Sequence, residues 1–440
     1  MDKQHIDILI DHGTVITMDP QRRIITDGCI AIANNVIVAV DTSPIINRQY
    51  QAHTIIDANQ QAVLPGLING HAHGATSLFR GIADDQSLLT WLKDYILPIE
   101  HAVLSPQFVK TGTELALLEM IQGGITTVAD MYHYENTVAQ TCADYGMRAL
   151  VGYTITDQIS QIRDAEEFIT TWQHHPLIHP VAAPHSLYSV PENVLCMARD
   201  LAKATNTPLM LHFAESAGEA DIIKNKYHLS SCEVLEKTKL LDNQLILAHA
   251  IHLTEEEIAL LSKHSVSMIH CPTSNMKLGS GVAPITIAQK YNIPIGLGSD
   301  GAASNNVLNM FGEMKTATLL QRVMHQSGSM LSATKALEFA TIEGARALLL
   351  DRHIGSIEPG KYADIITVSL SASNQIPVYD VISTLVYATY PTDVQTVIMS
   401  GVIKMAQGKL TCASDYIAQV FERVKMFRSQ IILENSLIHD

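Results

Sequence analysis

Two histidines one residue apart close an apolar run, Pro65-Gly-Leu-Ile-Asn-Gly-His71-Ala72-His73. In a strand, side chains at i and i+2 point to the same side, so both imidazoles can face one ion. Other apolar runs end in the same kinds of residue: Ala183-Pro184-His185, Leu211-His212-Phe-Ala-Glu215, Leu247-Ala-His249 and Gly298-Ser299-Asp300. Imidazoles serve as metal ligands or bases, and carboxylates accept and return protons. Asp300 stands in an apolar strand, where an unpaired carboxylate is costly to bury, and it asks for a positive partner. Lone histidines such as His101, His174, His175 and His325 carry no such argument and read as satisfied or exposed side chains.

The elements that must position these residues follow from the apolar runs at 62–68, 124–130, 147–153, 180–183, 207–213, 244–249, 266–271 and 293–298, which alternate with helical stretches. Eight strands with intervening helices predict an α/β fold, a (β/α)8 TIM barrel, in which all the closing polar residues share the active rim. The chain has 440 residues, enough for a barrel of about 250 residues and a smaller module. Ile6–Ile10, Gly28–Ile32 and Val36–Val40 are strand-like near the start, and Gly355-Ser-Ile-Glu-Pro-Gly-Lys-Tyr-Ala-Asp and Val394–Ile403 have the same texture near the end. The predicted organisation is therefore a composite β-sandwich of 1–61 and 356–412, a metal-dependent barrel over 62–355 and a helical tail over 413–440.

Hydrophobic residues make up 47% of the chain and charged residues 17%, with no apolar run long enough for a membrane span. The start lacks a secretory h-region and already reads as a strand, which predicts a cytoplasmic protein. Cys29, Cys142, Cys196, Cys232, Cys271 and Cys412 show no CxxC spacing and predict neither a disulfide framework nor a thiolate metal site. A net charge of −15 repels phosphate backbones, so nucleic acid is not an expected partner.

The ordered set PGLINGHAH, HxxE at 212–215, LAH at 247–249, HCPTSNMKLGSG at 270–281 and GLGSDGAASNN at 296–306 resembles the amidohydrolase superfamily over nearly the whole chain. Residues 70–100 are more narrowly similar to the 5-methylthioadenosine/S-adenosylhomocysteine deaminases, and PGKYADI at 359–365 resembles the superfamily's return to the β-sandwich. The resemblance implies one divalent ion, zinc with iron or manganese as alternatives, held by His71, His73, His212 and Asp300. Nitrogen and carboxylate ligands with an open position also suit a catalytic zinc. Pro184-His185 stands where a two-metal relative would carry a carbamylated lysine, which disfavours a second ion.

On this resemblance the expected reaction is hydrolytic deamination of an adenine nucleoside, namely 5-methylthioadenosine, S-adenosylhomocysteine or adenosine. Asp300 would accept a proton from water, Glu215 would protonate N1 of the ring, and His249 would orient the attacking oxygen. Read alone, Glu215 serves equally as a carboxylate that orients a ligand. Glu100 and His185 match positions that grip the ribose and its surroundings in the subgroup, although Glu100 in Leu-Pro-Ile-Glu also reads as a helix-end carboxylate. Trp91 would wall the pocket or simply pack. Ser304 and Asn305 shape the rim without assigned chemistry. A small-molecule substrate and a homo-oligomeric assembly are further implications. Guanine, a pterin or a triazine is the alternative ring, and a non-catalytic descendant is the reading from another class. The latter predicts lost ligands, which this chain retains.

One departure bears on the substrate. Tyr153 stands where better-known members of the subgroup carry an arginine, and Arg163 lies further along the chain as a candidate replacement. A phenol offers a carboxylate no two-pronged charged grip, so the sequence predicts preference for methylthioadenosine over S-adenosylhomocysteine.

Overall fold

The computed structural model describes residues 3–439. Eight strands lie side by side in chain order: β1 (Leu67–Ala72), β2 (Ile125–Tyr132), β3 (Arg148–Ile155), β4 (Ile178–Pro184), β5 (Leu209–Phe213), β6 (Leu245–His249), β7 (Val266–His270) and β8 (Ile295–Leu297). They run parallel, as in Leu209↔Leu245 and Met268↔Ile295. Every residue of β5, β6 and β7 is buried, which explains why their sequences are unbroken apolar runs rather than alternating ones. The ring comes close to closing between its first and last strands. There the Asp300 N–H donates to the His71 carbonyl at 2.9 Å, and a Cβ on Gly298 would stand only 2.9 Å from His71 N.

A second sheet is built from both ends of the chain, in the order Lys409–Leu410, Val402–Ala406, Val394–Met399, Ile365–Ser369, Gln61–Pro65, Gln4–Ile16, Ile24–Ala33 and Val36–Thr42, with Tyr50–Asp57 beside Gln4–Ile16. Gln61–Pro65 is the join: it pairs parallel with Gln4–Ile16 and antiparallel with Ile365–Ser369. Ile8, Ile10, Val15, Ile30, Ile32, Val63, Ile365 and Ile398 form a common buried core there.

The apolar run at 62–68, expected as the first barrel strand, is two strands. Gln61–Pro65 belongs to the nine-stranded sheet, and the barrel begins only at Leu67. Gly66 separates them, and a Cβ at that position would lie 2.1 Å from the Thr126 hydroxyl oxygen. Two compact units result, one of residues 1–69, 118–127 and 309–412, the other of 70–117, 128–308 and 413–440. Ser414–His439 is one helix within the second unit. It is tied there by Tyr416 Oη donating to Glu114 Oε1 at 2.7 Å, by an Arg423–Glu114 ion pair and by the Phe427 ring against Phe108. Among the described residues no helix is long and apolar enough to cross a membrane. Cys29, Cys142, Cys232 and Cys271 are buried thiols.

Candidate active site

The ends of β1, β5, β6 and β8 bring His71, His73, His212, His249 and Asp300 together. Donor atoms of His71, His73 and His212 lie within 4.8 Å of one another, as do those of His71, His249 and Asp300. Asp300 Oδ1 stands 3.2 Å from His73 Nε2 and 3.6 Å from His71 Nε2, and His212 Nε2 is 3.2 Å from His73 Nε2. Backbone carbonyls select the tautomers: His73 Nδ1–H donates to Met131 O, and His212 Nδ1–H donates to His185 O at 2.9 Å. Each ring therefore turns its Nε2 inward, the atom a metal ion would take.

His71 supplies the sharpest test of whether a cation fits. It is 0% exposed, yet neither ring nitrogen has a hydrogen-bond partner among the described residues. A buried imidazole left this way forfeits stability unless something binds it. Burial holds the His71 and His212 rings well below the usual imidazole range, which keeps them as neutral donors. Burial alone would raise the Asp300 carboxyl, but the His73 hydrogen bond and charge hold it well below the usual range. Burial opposes protonation of His73 too, and Asp300 outweighs it, lifting that ring to about 9. The nitrogen and carboxylate donors of the cluster fit a divalent metal.

The partners that orient this cluster come from residues to which the sequence assigned no chemistry. Asp300 Oδ2 accepts from Ser274 Oγ at 2.6 Å and from Ser304 Oγ at 2.7 Å, while Oδ1 accepts from Gly301 N–H. Ser304 thereby acquires the chemistry it lacked in the sequence, and Asn305 Nδ2 donates to Ser299 O behind it. His249 Nδ1–H donates to Asn275 Oδ1 at 2.9 Å, leaving Nε2 facing Glu215 Oε1 at 3.9 Å. Burial pushes the Glu215 carboxyl up, only partly offset by His249. Ala214, His249 and Asp300 all take positive φ, at 49°, 70° and 61°, a backbone cost carried at the ends of β5, β6 and β8.

A cavity of about 400 Å³ opens on the cluster, lined by His73, His212, Glu215, His249 and Asp300 together with Glu100, Trp91, His185, Tyr132 and His133. Trp91 is 8% exposed and donates through its indole N–H to Ile82 O at 3.3 Å. It opens the π-type turn Trp91–Ile96, which with Leu88 and Leu89 makes an apolar wall. Glu100 accepts a hydrogen bond from Tyr132 Oη and lies 4.0 Å from His133 Nε2. His185 meets Ser189 Oγ at 2.8 Å, and burial lowers its ring to about 4. Tyr132 and His133 close β2, so the rule that exposed His212 and His249 would have found them had it been applied to Asp130-Met-Tyr-His.

Two residues stand apart. Arg163 is exposed on the helix Ser160–Trp172 and does not line the cavity. Tyr153 turns its ring to Phe168 of that helix, while the next residue of β3, Thr154, faces the cavity, because neighbouring strand residues alternate sides.

The amidohydrolase family model matches residues 62–404. Over 433 residues the chain is 36% identical to a 5-methylthioadenosine/S-adenosylhomocysteine deaminase of Syntrophobacter fumaroxidans, covering 97% of this chain and 98% of that one. A 5'-deoxyadenosine deaminase of Methanococcoides burtonii is 35% identical over 434 residues, again covering 97% and 98%. The crystal structure of an adenosine deaminase from Xanthomonas campestris with bound zinc superimposes with a TM-score of 0.96 at 35% identity, covering 98% of this chain and 100% of that one. With its eight parallel strands and the histidine and aspartate cluster at their ends, the chain belongs to the amidohydrolase family.

Proposed function

We propose that this chain hydrolytically deaminates adenine nucleosides, replacing the 6-amino group by oxygen and releasing ammonia. The observation that carries the proposal is a single cavity holding the proton-moving pair Glu215 and His249 beside the ligand cluster, with the Tyr132–Glu100 pair on its wall. The names of the relatives, all deaminases of adenosine-type compounds, agree with it.

His71, His73, His212 and Asp300 would hold one divalent ion, which the donor set and the zinc of the Xanthomonas relative favour as zinc. Such an ion supplies a water molecule acidic enough to attack at neutral pH. Asp300 takes a proton from the attacking water as its oxygen bonds to C6. Glu215, whose carboxyl is pushed up by burial, donates to N1. His249, fixed by Asn275, holds the attacking oxygen in line. The C6–N6 bond then breaks as the amino group takes the proton from Asp300 and departs as ammonia, while the remaining proton on the C6 oxygen returns to Glu215, leaving a C6 carbonyl beside N1–H. Glu100, with Tyr132 on one carboxylate oxygen, keeps lone pairs for the ribose hydroxyls, and His185 and Trp91 bound the substrate nearby.

Assembly as a homo-oligomer and a cytoplasmic setting belong to the same proposal. Phe421, Ile432 and Leu433, exposed on the helix Ser414–His439, support the former. The test is a panel of adenosine, 5'-deoxyadenosine, methylthioadenosine and guanine, followed by loss of adenine absorbance with ammonia measured in parallel. Ammonia from the nucleosides is expected. Turnover of guanine alone would refute the assignment.

A further inference from the structure

Glu215 follows β5 on a segment whose backbone is held from both sides. The Phe213 carbonyl accepts from Ala250 N–H at 2.9 Å, and the Ala214 carbonyl accepts from Ile251 and His252 N–H, each at 3.0 Å. The two amides on the other side of the chain have a single holder. Glu219 Oε1 accepts from Ala214 N–H at 3.2 Å, and Oε2 accepts from Glu215 N–H at 2.9 Å. Glu219 is only 2% exposed, and its own N–H donates to Ser216 Oγ, the cap of the helix Ala217–Tyr227 that carries it. A carboxylate buried away from solvent is costly, and a helix needs only its cap at this point. What the carboxylate adds is a two-pronged clamp on a bend that Ala214 makes with positive φ.

We infer that Glu219 is a positioning residue for Glu215: its two oxygens fix the backbone from which Glu215 reaches the reacting atoms. It touches neither substrate nor ligand cluster. The inference rests on the deamination reading above, in which Glu215 moves the proton. A carboxamide keeps the size of the side chain but loses one acceptor and aims an N–H at a backbone N–H, so one of the two amides is released.

Glu219→Gln and Glu219→Asp are compared with wild type for kcat, KM, zinc content and thermal midpoint, with Ser216→Ala as a control that weakens the same helix and leaves the clamp intact. For Glu219→Gln we expect kcat to fall roughly 10- to 100-fold with KM within about threefold and zinc unchanged, the signature of a contact that matters only during reaction. Glu219→Asp, which keeps both acceptors on a shorter arm, should recover part of the loss. In a Glu215→Gln background, Glu219→Gln should cost less than about threefold more, because the two act as one unit. If Glu219→Gln destabilises the fold, the comparison of Asp with Ser216→Ala at matched thermal midpoint still decides, since only the former should lower kcat. Equal kcat losses in Glu219→Asp and Ser216→Ala, or a full additional loss in the Glu215→Gln background, would overturn the positioning role. Absence of ammonia release by wild type itself would overturn the deamination reading and this inference together.

Discussion

At Glu215 burial and a neighbouring imidazole pull in opposite directions. Burial raises the carboxyl, and His249 Nε2, 3.9 Å away, lowers it by less. The outcome is a carboxyl that holds its proton more tightly than an ordinary surface glutamate, which suits a donor to a ring nitrogen. Replacing Glu215 by Gln should therefore leave zinc content near normal while lowering turnover about 100-fold or more, within the 10²–10⁴ range typical of proton transfer. Loss of zinc, with full activity on reconstitution, would make Glu215 a mere support for His212. The residues of this cluster were legible because each closes an apolar run, and a polar side chain at the buried end of a strand has few bland explanations. Ser274, Asn275 and Glu219 were not, because they act through hydrogen bonds set by tertiary packing that no spacing in the sequence records. Which way Tyr153 faces was not legible either, because one step along a strand reverses the side, and its ring turns to Phe168.

The strand ends and the segment that follows β1 decide what the cavity admits. Leu88, Leu89, Leu92 and Ile96 line it, and among the described lining residues there is no arginine, Lys93 being the one lysine. A methylthio group needs only such an apolar wall, whereas an amino-acid tail brings a carboxylate that must keep a charged partner when it is desolvated. The preference predicted from the sequence thus stands on the wall rather than on Tyr153. We expect kcat/KM for methylthioadenosine to exceed that for S-adenosylhomocysteine by about tenfold or more, about 1.4 kcal/mol of transition-state binding. Equal efficiencies, with selective loss of the homocysteine compound in Arg163→Ala, would show that Arg163 reaches the tail. Gly298 is the element-scale constraint on the metal ligands. A Cβ there would sit 2.9 Å from His71 N and Cβ. Gly298→Ala should cost about 1–3 kcal/mol of stability by overpacking and weaken zinc retention, measured by thermal melting and metal analysis. An unchanged melt with full zinc would contradict this account of the closure. The strands themselves were readable as apolar runs, but the division of 61–72 into two sheets was not. All of Ala62–Pro65 and Leu67–Ala72 is buried, so no periodicity marks the change, and only the packing of Thr126 against Gly66 reveals it.

For the molecule as a whole, the segments 4–65 and 365–410 share one nine-stranded sheet, as their matching texture in the sequence suggested. The net charge of −15 leaves neutral nucleosides free to approach while repelling polyphosphates and nucleic acids. Every residue assigned to the reaction lies in the unit of 70–117, 128–308 and 413–440, and His71 at its centre, without a hydrogen bond to either ring nitrogen among the described residues, suits a bound cation. The central claim is that this cluster, loaded with a divalent ion, drives loss of the 6-amino group from adenine nucleosides. It is tested most directly by stripping the protein with a chelator and measuring ammonia released from methylthioadenosine before and after stoichiometric zinc is returned, with metal content determined on the same samples. The account predicts no ammonia from the stripped protein and, after one equivalent of zinc, one ammonia for each adenine chromophore converted. Full ammonia release from protein shown to be metal-free would contradict it, as would zinc-loaded protein that leaves methylthioadenosine, adenosine and 5'-deoxyadenosine all unchanged.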